Sequence, residues 1–163
     1  MKTIYLAGGC FWGVQKYFDQ FPGVLSTEAG YANGPTEAPT YFEVKHGAGH
    51  AETVKILFDE SVISVSELLD RYFLVIDPFS VNRQGEDEGV SYRTGIYYDD
   101  PSLLPEIEAR VSLEAEKLGR PLAVEVEPLT QYAPAEEYHQ KYLDKNPGGY
   151  CHIPRRMFGS DKR

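Results

Sequence analysis

Residues 2–21, "KTIYLAGGCFWGVQKYFDQF", set the first two elements of the fold and place a cysteine between them. In the segment "KTIYLAG" the more apolar side chains recur at every second position, which is typical of a strand. After it, Phe11, Val14 and Phe18 recur at spacings of three and four, which predicts a helix that ends at the following Pro-Gly pair. Two glycines separate the segments and allow a tight turn. Cys10 therefore follows a strand and begins a helix.

The rest of the chain continues this alternation of strands and helices. Further strands are predicted at residues 24–32, 50–59, 91–98 and 122–129, and further helices at about 41–45, 67–76, 103–118 and 135–146. The order β-α-β-β-α-β is the split βαβ pattern of a ferredoxin-like sandwich. We expect an α+β fold, a two-layer α/β sandwich in one domain over residues 1–163, with an irregular tail from about residue 144.

Composition and charge exclude several classes of protein. With 42 % hydrophobic residues the chain can bury an ordinary core, and its net charge of −9 repels nucleic acid and anionic lipid. No apolar run approaches the roughly 18 residues of a membrane span, and the start is too short for a secretory signal. We expect a cytoplasmic monomer without nucleic-acid or membrane partners. The basic residues near the C-terminus are expected to be solvated.

The two cysteines, Cys10 and Cys151, are too few for a disulfide framework, and neither belongs to a CxxC pair. They are two buried thiols, one reactive thiol, or a pair that meets in the fold. A helix N-terminus favours a thiolate, so a reactive Cys10 is predicted to have a lowered pKa. The alternative is a buried thiol at the end of a strand. Cys151 lies in "NPGGYCHIP", which is predicted to be an irregular, mobile segment. Such a segment can bring the Cys151 thiol to a second thiol.

Glu52 is the second candidate for chemistry. Strand alternation puts it on the face of Val54 and Ile56, where burial would raise the pKa of its carboxyl and make it a general acid. The alternative is an exposed position at the end of the strand. Tyr92 shares the parity of Ile96 on its predicted strand, so its hydroxyl is expected at the rim of a pocket.

Aromatic and histidine residues leave further alternatives open. Phe11 and Trp12 are adjacent on a helix, so one can face the core and the other a cleft, or both can be core. His46 and His50 have a spacing that metal ligands use on helices, but the glycines between them argue against a helix and a metal site. His139 is expected to make hydrogen bonds.

Seven segments, in order along nearly the whole chain, resemble the A-type peptide methionine sulfoxide reductases, the MsrA family. They are "GCFWG" from Gly9, "GYANG" from Gly30, "PTYFEV" from Pro39, "GHAETV" from Gly49, "NRQGED" from Asn82, "YRTGIY" from Tyr92 and "HQKYLDKNPGGYC" ending at Cys151. The first of these holds the cysteine of the family's active-site signature.

The resemblance implies a role for each matching catalytic position. Cys10 resembles the nucleophile that attacks the sulfoxide sulfur, and Glu52 resembles the acid that protonates the sulfoxide oxygen. Tyr41 and Tyr92 resemble the hydroxyl donors to that oxygen. Cys151 matches the resolving thiol, which would form a disulfide with Cys10 for thioredoxin to reduce.

The resemblance also implies how substrate binds. Phe11 and Trp12 resemble the wall that receives the S-methyl group, and Asp87 matches the carboxylate that orients the substrate backbone. The implied substrates are oxidised proteins and peptides, and free or small sulfoxides, in the S form. The external reductant is thioredoxin, with no bound cofactor and no metal.

Two departures from the family pattern concern the tail and the substrate contacts. No cysteine follows Cys151, so the Cys10–Cys151 bond itself is the predicted substrate of thioredoxin. Val90-Ser91 stands where relatives commonly have Thr-Gln, which affects fine substrate contacts. Two other functions remain open: a cysteine hydrolase using His46, His50 or His139, and a binding module whose Trp12 pocket recognises oxidised or apolar peptides.

Overall fold

The computed structural model describes residues 1–158. The strands are β1 (Lys2–Gly8), β2 (Val24–Ala32), β3 (Ala51–Phe58), β4 (Arg83–Gln84), β5 (Asp87–Glu88), β6 (Thr94–Tyr98), β7 (Glu125–Pro128) and β8 (Tyr132–Pro134). The α-helices are α1 (Phe11–Asp19), α2 (Tyr41–Lys45), α3 (Val65–Phe73), α4 (Leu104–Leu118) and α5 (Tyr142–Lys145). The predicted α+β class is confirmed.

Six of the strands form one sheet in the order β7-β6-β1-β3-β2-β8, and β4 pairs with β5 as a separate hairpin. The four central strands, β6-β1-β3-β2, are antiparallel to one another, whereas the edge strand β7 runs parallel to β6. Neither β8 nor the small hairpin was predicted from the sequence pattern.

The main core lies between the sheet and helices α1 and α3. Ile4, Leu6 and Ile56 point from the sheet into this layer and are fully buried. The helices meet them with apolar side chains such as Phe18 and Leu69. Burying each such side chain contributes roughly 1.5–3 kcal/mol, so this layer is the main source of stability. The opposite face of the sheet carries a smaller cluster.

The turn between β1 and α1 places Cys10 at the edge of this core. Gly9 has a φ of +89°, a conformation that residues with a side chain rarely adopt. A Cβ on Gly9 would lie 2.7 Å from the Cβ of Gln84 and 3.1 Å from Cε1 of His152, so only glycine fits. Cys10 follows as the residue that precedes the first helical turn.

Three sequence predictions about elements were wrong. Instead of one helix over 135–146 there is a 3-10 turn at Glu137–His139 and the short α5, because the Gln140 side chain bonds the backbone of Ala29 and Lys141 takes a φ of +55°. Tyr92 lies on a 3-10 turn ahead of β6, not on the strand.

The third concerns α4. The spacing of apolar residues along its sequence predicts one buried face, made of Leu103, Ile107, Val111, Ala115 and Leu118. The Leu118 side chain is 44 % exposed, and the buried positions of α4 include Arg110 and Glu114, which form an ion pair. Within residues 1–158 the longest helix has 15 residues, and none has the length and hydropathy for crossing a membrane. Residues 159–163 of the predicted tail lie outside the described part of the chain.

Candidate active site

Cys10 and Glu52 meet because the register of the sheet aligns the strands that carry them. Leu6 of β1 pairs with Val54 of β3, so the end of β1 and the start of β3, where Glu52 lies, come to the same end of the sheet. The chain then turns, and the backbone N–H of Phe11 donates to Oε1 of Glu52 over 3.1 Å. The carboxyl therefore contacts the first turn of α1, directly after the cysteine.

Glu52 is buried, as its place on the apolar face of β3 predicted; it is 1 % exposed. Burial is the largest cause that raises the pKa of its carboxyl, to about 8, and the charge of Asp87 adds to the effect. The hydrogen bond from Phe11 opposes it. Oε2 of Glu52 has no hydrogen-bond partner within residues 1–158. At neutral pH the site therefore holds a carboxylic acid with a proton available for donation.

The prediction of a lowered pKa for Cys10 was wrong. The side chain is 8 % exposed, and burial raises the pKa of the thiol well above its ordinary value. The negative charge of Glu52 raises it further, while the N–H of Trp12 lowers it in part. The backbone N–H of Phe11 lies at the helix N-terminus and was expected to stabilise a thiolate, but it donates its hydrogen bond to Glu52 instead of to the sulfur. Cys10 is therefore a thiol at neutral pH.

Two tyrosines complete the polar side of this site. Tyr41 is the first residue of α2, and Thr40 and Glu43 form a capping box that fixes the start of the helix. Burial, then the charges of Glu52 and Cys10, raise the pKa of Tyr41 to about 12. The pKa of Tyr92 is also raised, first by burial and next by Glu52. Both hydroxyls keep their protons and can donate hydrogen bonds.

Asp87 lies in the β4–β5 hairpin, and its charge raises the pKa of Glu52 and of both site tyrosines. Burial raises its own pKa, and the nearby Tyr150 hydroxyl lowers it. Oδ2 of Asp87 is buried without a hydrogen-bond partner among the described residues. This oxygen is able to accept a donor from a bound molecule.

Phe11 and Trp12 have different surroundings. Phe11 is 1 % exposed and packs against Tyr31, with 5.6 Å between ring centroids, so it belongs to the core. Trp12 is only partly buried and stacks on Tyr142 at 3.7 Å. Its indole N–H donates to Nδ1 of His139 over 2.9 Å, which bears out the prediction that this histidine makes hydrogen bonds.

Cys151 lies against the first turn of α1. A Cβ on Gly13 would collide with its sulfur, and the N–H of Ile153 donates to that sulfur over 3.3 Å. Ile153 is itself buried and anchors this part of the tail. Both cysteines are free thiols at the first turn of α1, with Cys10 directly before the turn and the Cys151 sulfur against Gly13.

The other histidines named from the sequence lie in different settings. His46 is exposed at the end of α2, and His50 is buried with Nε2 2.7 Å from the carbonyl oxygen of Thr36. In the part of the chain that the structure describes, no three or more acidic, histidine or cysteine side chains are grouped for a metal ion.

Sequence reasoning missed Glu136, whose carboxylate contacts two parts of the site. It accepts from the Tyr31 hydroxyl over 2.6 Å and from the backbone N–H of Tyr41 over 2.9 Å. The sequence places Glu136 and Glu137 next to each other on one predicted helix. Their different surroundings arise only because that helix is replaced by a 3-10 turn that begins at Glu137. The available signal was the spacing of three between Glu136 and His139, which on the predicted helix would place both side chains on the same face.

Solved structures that match this fold include Mxr1 and a methionine sulfoxide reductase. The reduced form of Mxr1 from Saccharomyces cerevisiae matches with a TM-score of 0.88 and 34 % identity, over 94 % of this chain and 91 % of that one. Methionine sulfoxide reductase A of Corynebacterium diphtheriae gives 0.88 and 35 %, over 94 % and 83 %. Mxr1 in complex with Trx2 matches in fold, with a TM-score of 0.62 and 24 % identity, over 86 % and 84 %. Fold and sequence thus define an oxidoreductase of the methionine sulfoxide reductase class.

Sequence comparison gives the family within that class. The model of the family "Peptide methionine sulfoxide reductase" matches residues 2–162. MsrA of Lachnoclostridium phytofermentans is 56 % identical over 162 residues, 99 % of this chain and 98 % of that protein. MsrA of Clostridium acetobutylicum is 52 % identical over 158 residues, 96 % and 98 %. The chain belongs to the peptide methionine sulfoxide reductase family, and the resemblance seen in its motifs is confirmed.

Proposed function

We propose that this protein reduces methionine-S-sulfoxide in proteins and peptides, and in free or small sulfoxides, with Cys10 as the nucleophile and Glu52 as the acid. The observation that carries the proposal is the position of Glu52: buried, with a pKa of about 8, and bonded to the residue after Cys10. A sulfoxide oxygen leaves its sulfur only when it is protonated, and a neutral carboxyl beside a thiol supplies that proton.

The first step transfers oxygen from substrate to enzyme. The Cys10 sulfur attacks the sulfoxide sulfur while Glu52 protonates the oxygen, which ends on Cys10 as a sulfenic acid. Methionine sulfoxide gains two electrons and Cys10 loses two. In the reactive state the thiol proton has already left, so Cys10 attacks as a thiolate beside the protonated Glu52. The step therefore ends with a Cys10 sulfenic acid and a Glu52 carboxylate.

The hydroxyls of Tyr41 and Tyr92 hold the sulfoxide oxygen in this step. Their raised pKa values keep both as donors throughout the pH range of the reaction. Phe11 and Trp12 form the apolar wall for the S-methyl group, and the unpartnered Oδ2 of Asp87 receives the substrate's backbone N–H. Selection of the S epimer follows from this fixed order of methyl, oxygen and backbone around a chiral sulfur.

The second step regenerates the enzyme through the tail. The Cys151 thiol attacks the sulfur of the Cys10 sulfenic acid, a disulfide forms and water leaves. A dithiol protein of the thioredoxin class then reduces the disulfide by exchange. Support comes from the position of the Cys151 sulfur against Gly13 in the first turn of α1, and from Trx2 as the partner of Mxr1 in one of the structures that match this fold.

Mass measurement tests both steps. Without reductant, a methionine-S-sulfoxide peptide should be converted while the protein loses two hydrogens. Cys151→Ser should still form about one methionine per enzyme and gain one oxygen instead. Cys10→Ser should form none.

Three outcomes would contradict the proposal. They are methionine formation by Cys10→Ser, full multiple turnover by Cys151→Ser with thioredoxin, and faster reduction of the R epimer. The R-sulfoxide peptide therefore serves as the matched control substrate. A cysteine hydrolase or a binding module would leave the sulfoxide and the protein mass unchanged.

A further inference from the structure

Glu136 lies outside the proposed chemistry, yet its carboxylate connects two of the segments that build the site. One oxygen accepts the hydroxyl of Tyr31 over 2.6 Å, and the other accepts the backbone N–H of Tyr41 over 2.9 Å. These two bonds, with smaller contributions from neighbouring groups, outweigh burial and lower the pKa of Glu136. Both bonds are therefore made to a charged acceptor, which makes them stronger than neutral ones.

Both partners of Glu136 lie near Glu52, whose charge raises the pKa of Tyr31 and of Tyr41. Tyr31 of β2 is the register partner of Glu52 on β3, and both side chains point into the helical layer. Tyr41 begins α2, a helix of only five residues. So short a helix is marginal alone, and its position must come from tertiary contacts.

We propose that Glu136 is a positioning residue for Tyr41. Its carboxylate fixes the first residue of α2 relative to the β2–β3 pair, so that the Tyr41 hydroxyl meets the oxygen that Glu52 protonates. The inference rests on the proposed function, in which Tyr41 donates to that oxygen. Geometric control matters here, because a displacement of about 1 Å can slow a reaction by about a hundred-fold.

The substitution Glu136→Gln isolates this effect. Glutamine keeps the size of the side chain and one acceptor oxygen but carries no charge. Its NH₂ group can only donate to the Tyr31 oxygen, and the bond from the Tyr41 N–H to a carboxylate becomes a weaker bond to a neutral amide. Glu137→Gln is the matched control. It makes the same chemical change one residue further on, where the side chain is 90 % exposed and its closest ion-pair contact is Lys145 at 3.7 Å.

The experiment is a double-mutant cycle read by the single-turnover rate of methionine formation without reductant. We expect Glu136→Gln to slow that rate about ten-fold and Glu137→Gln to leave it unchanged. In the Tyr41→Phe background, Glu136→Gln should cause no further slowing, because the hydroxyl it positions is already absent. A change in fold stability alone would slow both backgrounds equally.

Several results would overturn the inference. They are a wild-type rate for Glu136→Gln, an equal slowing in both backgrounds, and a wild-type rate for Tyr41→Phe. A wild-type enzyme that forms no methionine would instead refute the proposed function itself. If Glu136→Gln does not fold, Tyr31→Phe removes one hydrogen bond and leaves the carboxylate; it should slow the rate only while Tyr41 is present.

Discussion

The reactivity of the Cys10–Glu52 pair depends on the total number of protons that the two side chains bind. At neutral pH both groups are protonated, since burial raises the pKa of each. Loss of one proton leaves either a carboxylate with a thiol or a carboxylic acid with a thiolate, and the second arrangement is the reactive one in the proposed mechanism. Two groups coupled this closely titrate as a unit, so the reaction depends on the one-proton state of the pair.

This state predicts a bell-shaped pH profile for the single-turnover kcat/KM, which reports the free enzyme. The rate should rise as pH approaches about 8, where the pair loses its first proton, and fall at higher pH as the second proton leaves. Stopped-flow measurement with a sulfoxide peptide checks the two limbs. A profile that is already flat at pH 6 would mean that the thiolate exists in the free enzyme, contrary to the raised pKa of Cys10.

The variant Glu52→Gln tests which of the two groups causes each limb of the pH profile. The variant should lose at least about a hundred-fold in the first step, because general acid catalysis is gone. Its profile should rise once and then stay level, since only the thiol titrates. The midpoint of the rise reports the Cys10 pKa without the carboxylate charge that raises it. A bell-shaped profile in this variant would assign the alkaline limb to another group.

At the scale of elements, the first turn of α1 serves both cysteines. Cys10 precedes it, and Gly13, inside it, leaves the space that the Cys151 sulfur fills. Alanine at a helical position normally stabilises a helix by about 0.5–1 kcal/mol relative to glycine. A glycine here is therefore unfavourable for the helix and is explained by the close approach of the tail.

Gly13→Ala should separate the two chemical steps. The added methyl displaces the Cys151 side chain, which is a flexible end that can move, so the fold should keep its thermal stability. Methionine formation in the first turnover should be unchanged, while the Cys10–Cys151 disulfide should form about ten-fold more slowly. Quenched-flow trapping of free thiols measures the second step.

Gly148→Ala is the matched control, because a Cβ at that position meets no atom within 4 Å. It should form the disulfide at the wild-type rate. Equal rates for Gly13→Ala and the wild type would show that Cys151 does not react from the position it occupies against α1.

Sequence reasoning was successful for elements whose pattern is local. The period of the apolar residues predicted α1 and the central strands, and the parity of β3 predicted the burial of Glu52. It failed where distant contacts override local preference. Gln140 reaches the backbone of Ala29 and breaks a helix that its own segment favours.

The pKa of Cys10 shows the same limit in the site. Its place before α1 could be derived from the sequence, but the burial that reverses the expected shift depends on how the surrounding elements pack. Glu136 was equally inaccessible, because its two partners lie about a hundred residues away in the chain. Local patterns thus located the reacting residues, and tertiary contacts determined their protonation and alignment.

At the scale of the whole molecule, Arg93 joins the segments that carry the site. Its guanidinium donates to the carbonyl oxygens of Asn33, Gly49 and Val90 at 2.9–3.2 Å and to Glu125 of the edge strand β7 at 3.0 Å. Asn33 begins the loop towards Tyr41, Gly49 precedes β3 with Glu52, and Val90 lies in the turn of Tyr92. A single side chain thus ties together the three segments that present the acid and both tyrosines.

Arg93→Lys should therefore lower both stability and activity. An ammonium group donates from one point and cannot reach four acceptors spread around a planar guanidinium, so buried carbonyl groups lose partners at roughly 1–3 kcal/mol each. We expect the free energy of unfolding in urea to fall by roughly 2–4 kcal/mol, and the single-turnover rate to fall even where the variant is fully folded. The exposed Arg156 in the tail provides the control, since Arg156→Lys should change neither quantity. If Arg93→Lys unfolds at the wild-type urea concentration, the three segments are held by their own packing, and the alignment of the tyrosines with Glu52 does not depend on this arginine.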